Sequence, residues 1–141
     1  MIPFVPDFTL GYDFKFCYSG TISSDTDTDG TAIDSQTFEG PVHLVALVGN
    51  SGDASTVVTI KLIECATSGG SYTAVTGASK ALSASATAND NSAHFVRSDN
   101  WQQRYLKSRV TTLGGTPSVP IHIGLLAKKK IGGGSGVLTT G

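Results

Sequence analysis

Several stretches of this chain alternate apolar and polar residues with a period of two, and no segment carries a sustained apolar stripe at helical spacing. In residues 103–113 the side chains of Tyr105, Lys107, Arg109 and Thr111 fall on one face and those of Leu106, Ser108 and Val110 on the other. In residues 119–127, Ile121, Ile123 and Leu125 stand opposite His122, Gly124 and Leu126. Val58, Ile60 and Leu62 alternate with Thr59 and Lys61, and Phe14, Phe16 and Tyr18 with Lys15, Cys17 and Ser19. A chain with this period can bury one face of each segment only by building sheets.

The punctuation agrees. Asn50-Ser51-Gly52-Asp53, Ser68-Gly69-Gly70-Ser71, Ser98-Asp99-Asn100 and Gly114-Gly115 are turn sequences of the kind that join antiparallel strands. The expected strands are residues 14–22, 32–39, 41–49, 56–65, 72–75, 93–96, 103–113 and 119–127. Residues 25–30 are expected as a polar loop, and residues 78–91 as a loop with at most one weak edge strand. Seven or eight strands at this spacing predict an all-β fold, an antiparallel β-sandwich or a jelly-roll-like barrel. The 17 glycines and the abundance of Thr, Ser and Val over helix-building Glu, Lys, Leu and Arg point the same way.

A length of 141 residues fits one domain. Such a domain buries roughly 70% of its unfolded surface, enough for a core without disulfide or metal. Residues 1–13 read as an extended arm, because Pro3 and Pro6 cannot donate to a ladder and Ile2, Phe4, Val5 and Phe8 are apolar without period. Residues 14–127 form the expected sandwich, and 128–141 a tail rich in Gly, Ser and Thr. The segment 42–48 is apolar on both faces, as in a central strand that is covered on both sides or faces a partner.

Charge limits the partners. Ten Lys and Arg balance eleven Asp and Glu for a net charge of −1, and the single run Lys128-Lys129-Lys130 makes no basic stripe, so no nucleic acid is expected. No apolar run is long enough for a membrane span, and the first residues lack the pattern of an export signal. Synthesis in the cytoplasm is therefore expected, with Cys17 and Cys65 as buried free thiols, against the alternative of a disulfide if their two strands lie side by side.

The sharpest chemical motif is Asp25-Thr26-Asp27-Thr28-Asp29-Gly30, whose carboxylates at alternate positions before a glycine match the opening of a calcium loop. Gln36 stands where the bidentate Glu should be, and the flanks read as strands. Asp25, Asp27 and Asp29 are the candidate metal ligands, with calcium as the ion, against the alternative of a solvated acidic turn; no other cofactor is expected. His43, His94 and His122 lie on separate strands without a second ligand at metal spacing. The tail stretch Gly132–Gly136 holds Ser135 without the strand-to-helix context that activates a nucleophile. No catalytic residue emerges, and the chain is read as a non-enzyme. Trp101 reads as a core anchor or interface plug, with sugar stacking as the alternative.

Residues 33–39, 42–49, 57–64, the turn Ser68-Gly69-Gly70-Ser71-Tyr72-Thr73, the segment Arg104 to Thr111 and the strand 119–127 together resemble the small all-β head decoration, or cement, proteins of bacteriophages. The resemblance spans residues 31–127 and carries no catalytic residues. It implies a virion structural protein on the capsid exterior, with the major capsid protein as partner and a homo-oligomer, a trimer before a dimer, as its assembly. The alternatives are a carbohydrate- or surface-binding β-sandwich, calcium-dependent through the Asp25–Asp29 loop, and another virion part such as a tail-tube or head-completion subunit.

Overall fold

The computed structural model describes residues 11–50, 56–82 and 91–130. Among the described residues nine strands form two antiparallel sheets packed face to face, a β-sandwich rather than a closed barrel. Strands β1 (Tyr12–Ile22), β4 (Phe38–Val48), β7 (Ser92–Ser98) and β9 (Val119–Lys129) make a four-stranded sheet in the order β1-β9-β4-β7. The other sheet has the order β2-β8-β5-β6, from β2 (Asp27–Asp29), β8 (Tyr105–Leu113), β5 (Val57–Cys65) and β6 (Thr73–Ala81), with β3 (Ile33–Asp34) also paired to β8. No helix of the described residues is long and apolar enough to cross a membrane.

The core lies between the sheets and follows the alternation. Leu106, Val110, Ile60, Leu62, Ile121 and Ile123 point inward and are fully buried. Burying one such side chain contributes about 1.5–3 kcal/mol, which sets the register of each strand against a one-residue slip. Trp101 packs at the margin of this core and donates its indole N–H to the Gly40 carbonyl at 2.9 Å, the position of an anchor.

Four boundaries differ from the sequence reading. Residues 25–30 are not wholly loop: Asp27–Asp29 pair with Thr111, Val110 and Arg109, because the edge of β8 would otherwise carry unpaired backbone groups. Residues 78–81 are not loop but continue β6, where Ala78 is small enough to be fully buried between the sheets. Strand β4 starts at Phe38, ahead of Pro41. A bulge between Glu39 and Val42, with Gly40 at a positive φ of 71°, lets Phe38 reach the core. Finally, β1 begins at Tyr12 and β9 runs to Lys129, the two ends pairing as Tyr12 with Lys128. Residues 1–10, residues 51–55 with most of the expected Asn50–Asp53 turn, residues 83–90 and the tail from 131 lie outside the described residues.

Cys17 and Cys65 are both free, on strands of opposite sheets. Cys17 is buried, accepts the Ser108 N–H at 3.1 Å and donates to the Thr31 carbonyl. Burial pushes its thiol pKa up, outweighing the bonds from Ser108 that pull it down. Cys65 is half-buried. The expected outcome of thiol titration on folded protein is therefore one fast-reacting group, Cys65, while Cys17 reacts only as the chain unfolds. Two equally fast thiols would contradict this packing.

Candidate interaction face

The four-stranded sheet has an outer face that nothing in the described chain covers. Its registers line residues of different strands into rows. Phe16, Gly124, Val45 and Phe95 form one row across β1, β9, β4 and β7. Phe14, Leu126, His43 and Arg97 form the next, and Ser19, His122, Leu47 and Ala93 the row on the other side. Phe16 is 70% exposed, Phe95 60% and Leu47 51%. Tyr12 and Phe14 are exposed on the same face, so this sheet carries most of the large apolar side chains that the described chain shows to solvent. The only others, Val57 and Leu113, are paired to each other at the end of the second sheet.

Local sequence explains how the face forms. Gly124 leaves no side chain at the centre of the sheet, and the Phe14 ring lies in that gap, where any Cβ would strike it. Phe14 and Phe16 then meet edge to face with ring centres 5.2 Å apart. Four strands about 4.8 Å apart make the platform about 14 Å wide. Isolated exposed apolar residues are ordinary; a contiguous group spanning every strand of a sheet marks an interaction surface. At one end, Tyr12, Glu39, Pro41, His43, Arg97 and Lys128 line a concavity of about 550 Å³. Lys128 there pairs with Glu39 at 3.5 Å, so the recess sets an ion pair beside the apolar plain.

The orientation of β1 departs from the simplest reading of its alternation. Phe14 and Phe16 face outward, not into the core, and Cys17 turns inward across a bulge between Phe16 and Tyr18. The double-faced apolar run in β4 gave the signal. Val42, Leu44, Ala46 and Val48 fill the core, leaving Val45 and Leu47 on the outer face.

The candidate calcium ligands sit elsewhere, on the second sheet. Asp25 is exposed ahead of β2. Asp27 and Asp29 project from the same side of β2, about 7 Å apart as residues two apart on a strand must be. Each faces a donor on β8: Asp27 accepts the Thr111 hydroxyl at 2.6 Å, and Asp29 takes a two-pronged contact from Arg109 at 2.6 and 2.9 Å. Asp34 holds Arg104 in the same way. Among the described residues, no three His, Cys, Asp or Glu gather as an ion site.

The Arg109 guanidinium holds the Asp29 carboxyl below its usual 3.8. Proton uptake on unfolding is then easier than in the fold, so this pair stabilises fully above that value and is lost as pH falls through the lower folded value. Asp29→Asn is expected to flatten the acid side of the urea midpoint profile below about pH 4 while lowering stability near neutrality. An acid limb unchanged by the substitution would remove the pair from the account.

The histidines remain apart. His122 Nδ1 lies 2.6 Å from the Ser19 hydroxyl and His94 Nε2 2.7 Å from that of Ser92. Burial pushes the His94 pKa down, with Lys80 adding to it. Neither pair borders the concavity, and neither imidazole is hydrogen-bonded to a carboxylate among the described residues.

No family profile and no curated protein matches the chain. A solved structure does. The crystal structure of the PBSX exported protein XepA, a phage protein, superposes on 82% of this chain with a TM-score of 0.51 and 12% identity. The match takes in 36% of that protein, so this chain spans about a third of its length. At that identity, the shared property is the fold.

Proposed function

We propose that this chain is a non-enzymatic structural protein of a tailed-phage virion, a decoration or cement protein. It docks on the major capsid protein at the capsid exterior through the outer face of its four-stranded sheet. The observation that carries the reading is the row Phe16–Val45–Phe95, its two rings exposed and Val45 half-buried between them, with Leu47 and Phe14 exposed around it, on a sandwich whose own core is complete without them. Covering apolar surface contributes about 25 cal/mol per Å², and a modest site repeated over a symmetric shell is held through multivalency. The resemblance of residues 31–127 to decoration proteins supports the same role, and the likeness to a phage exported protein supports a phage setting.

Heads stripped of the protein, co-sedimented with it over a concentration series, test the reading. Saturable binding at a fixed copy number per capsomer, with shells that then survive heating better, is the expected result. No binding to intact heads would overturn it. The neighbour's description as an exported protein favours a second reading, a β-sandwich released from the cell to act on an outside surface. Recovery of the chain from the lysate supernatant, and not from purified particles, would select that one.

A further inference from the structure

Among the described residues, strand β1 lies at the end of its sheet and pairs only with β9, so they leave its other edge open. The opening is bounded. At Cys17 the backbone carbonyl already accepts the Thr31 N–H at 2.7 Å, which occupies the edge at the bulge. What remains is Tyr12-Asp13-Phe14-Lys15-Phe16, a short extended segment with three aromatics on the outer face and two opposite charges on the other. Open edges with alternating apolar residues are templates for another strand.

The sequence of this segment is complementary to itself when reversed. Two copies laid antiparallel about a two-fold axis at Phe14 place Asp13 of each opposite Lys15 of the other. The same register sets Tyr12 opposite Phe16 of the other copy, twice, and Phe14 against Phe14 at the axis. Both charge pairs are then of opposite sign and both flanking pairs aromatic, the combinations that stabilise directly opposed residues in a sheet. Within one chain Lys15, half exposed, and Asp13, largely covered, make a single long contact at 3.5 Å, which the cross-strand pairs would replace.

We infer that β1 binds a second copy of this chain through the edge Tyr12–Phe16, joining two four-stranded sheets into one of eight strands. The contact is isologous and closes as a dimer. It replaces the trimer expected from the sequence as the first assembly step. Because the copies add side by side, the outer faces stay open and merge into a platform twice as wide, with Phe14 and Phe16 of both copies at its centre. The inference is read from the edge alone and does not depend on what the platform binds.

Sedimentation velocity of the full chain up to about 100 µM tests it, a range in which even weak association shows. The expected result is a reversible dimer. Asp13→Lys and Lys15→Asp each leave one sign of charge along the edge, and each alone is expected to weaken dimerisation at least about tenfold. Mixed in equal amounts, the two variants are expected to form a heterodimer as strong as the wild type, because each then meets its opposite. The mixing result also shows that both variants are folded. A wild-type monomer throughout the range would overturn the inference, as would single variants that dimerise unchanged or a mixture that stays monomeric. No capsid enters the measurement, so failure here and failure of head binding are separate results.

Discussion

Heads offered a Phe16→Ser/Phe95→Ser double variant are expected to bind it at least about 100-fold more weakly than the wild-type protein. The two rings stand at opposite ends of one row across the outer sheet, 70% and 60% exposed, so neither takes part in the core. Removing them should leave the thermal midpoint within a few degrees, since exposed substitutions away from packed features change stability by about 0.5 kcal/mol or less. Aromatic anchors that become desolvated at an interface cost about 2 kcal/mol or more each when truncated, and loss of both accounts for the factor. The control is Val57→Ser/Leu113→Ser, which removes the exposed apolar pair of the other sheet and is expected to bind heads normally. Equal losses in both variants would mean that general stickiness, and not this face, holds the protein to the shell.

The second large effect is on folding. Gly30→Ala is expected to destabilise the chain by about 2–3 kcal/mol, lowering the melting temperature by roughly 8–12 °C. Gly30 sits where the sheets meet at one corner, donating its N–H to the Ser108 carbonyl at 2.9 Å while Thr31 bonds to Cys17. A methyl group there would lie 2.6 Å from the Cys17 carbonyl oxygen, 2.6 Å from Ser108 Oγ and 2.7 Å from Cys17 Sγ. These atoms belong to backbone or to buried side chains and cannot swing clear. Gly124→Ala is the instructive contrast. Its methyl would also collide, but with the tip of the Phe14 ring, which can rotate toward solvent, so a loss below about 1 kcal/mol is expected. A Gly30→Ala melt that matches the wild type would mean that this corner is looser than its distances state.

Phe14 and Phe16 show where local reading stops. Their alternation with Lys15 and Cys17 established a strand, as did that of Tyr105 to Thr111 in β8, and there the inward and outward faces also followed. In β1 the period is broken by one bulge, and a single extra residue exchanges the faces. The acidic segment Asp25 to Gly30 shows the same limit. The groups that its Asp29 and Asp27 meet, Arg109 and Thr111, stand 80 and 84 residues further on, so no local pattern shows them.

What the sequence by itself determined is local: the all-β class, the position of most strands, the glycine turns, and an apolar excess in β4 larger than one buried face could use. Period, turn chemistry and composition act between near neighbours, so they are written along the chain. Which strands pair was decided only by the tertiary structure. Apart from β5 and β6, every pairing joins strands that are not consecutive, so the rows that assemble Phe16, Val45 and Phe95 into one face have no continuous trace in the sequence. The physical reason is that the outer face contributes nothing to the core that selects the register. Its residues are brought together as a consequence of burial on the other side of the sheet.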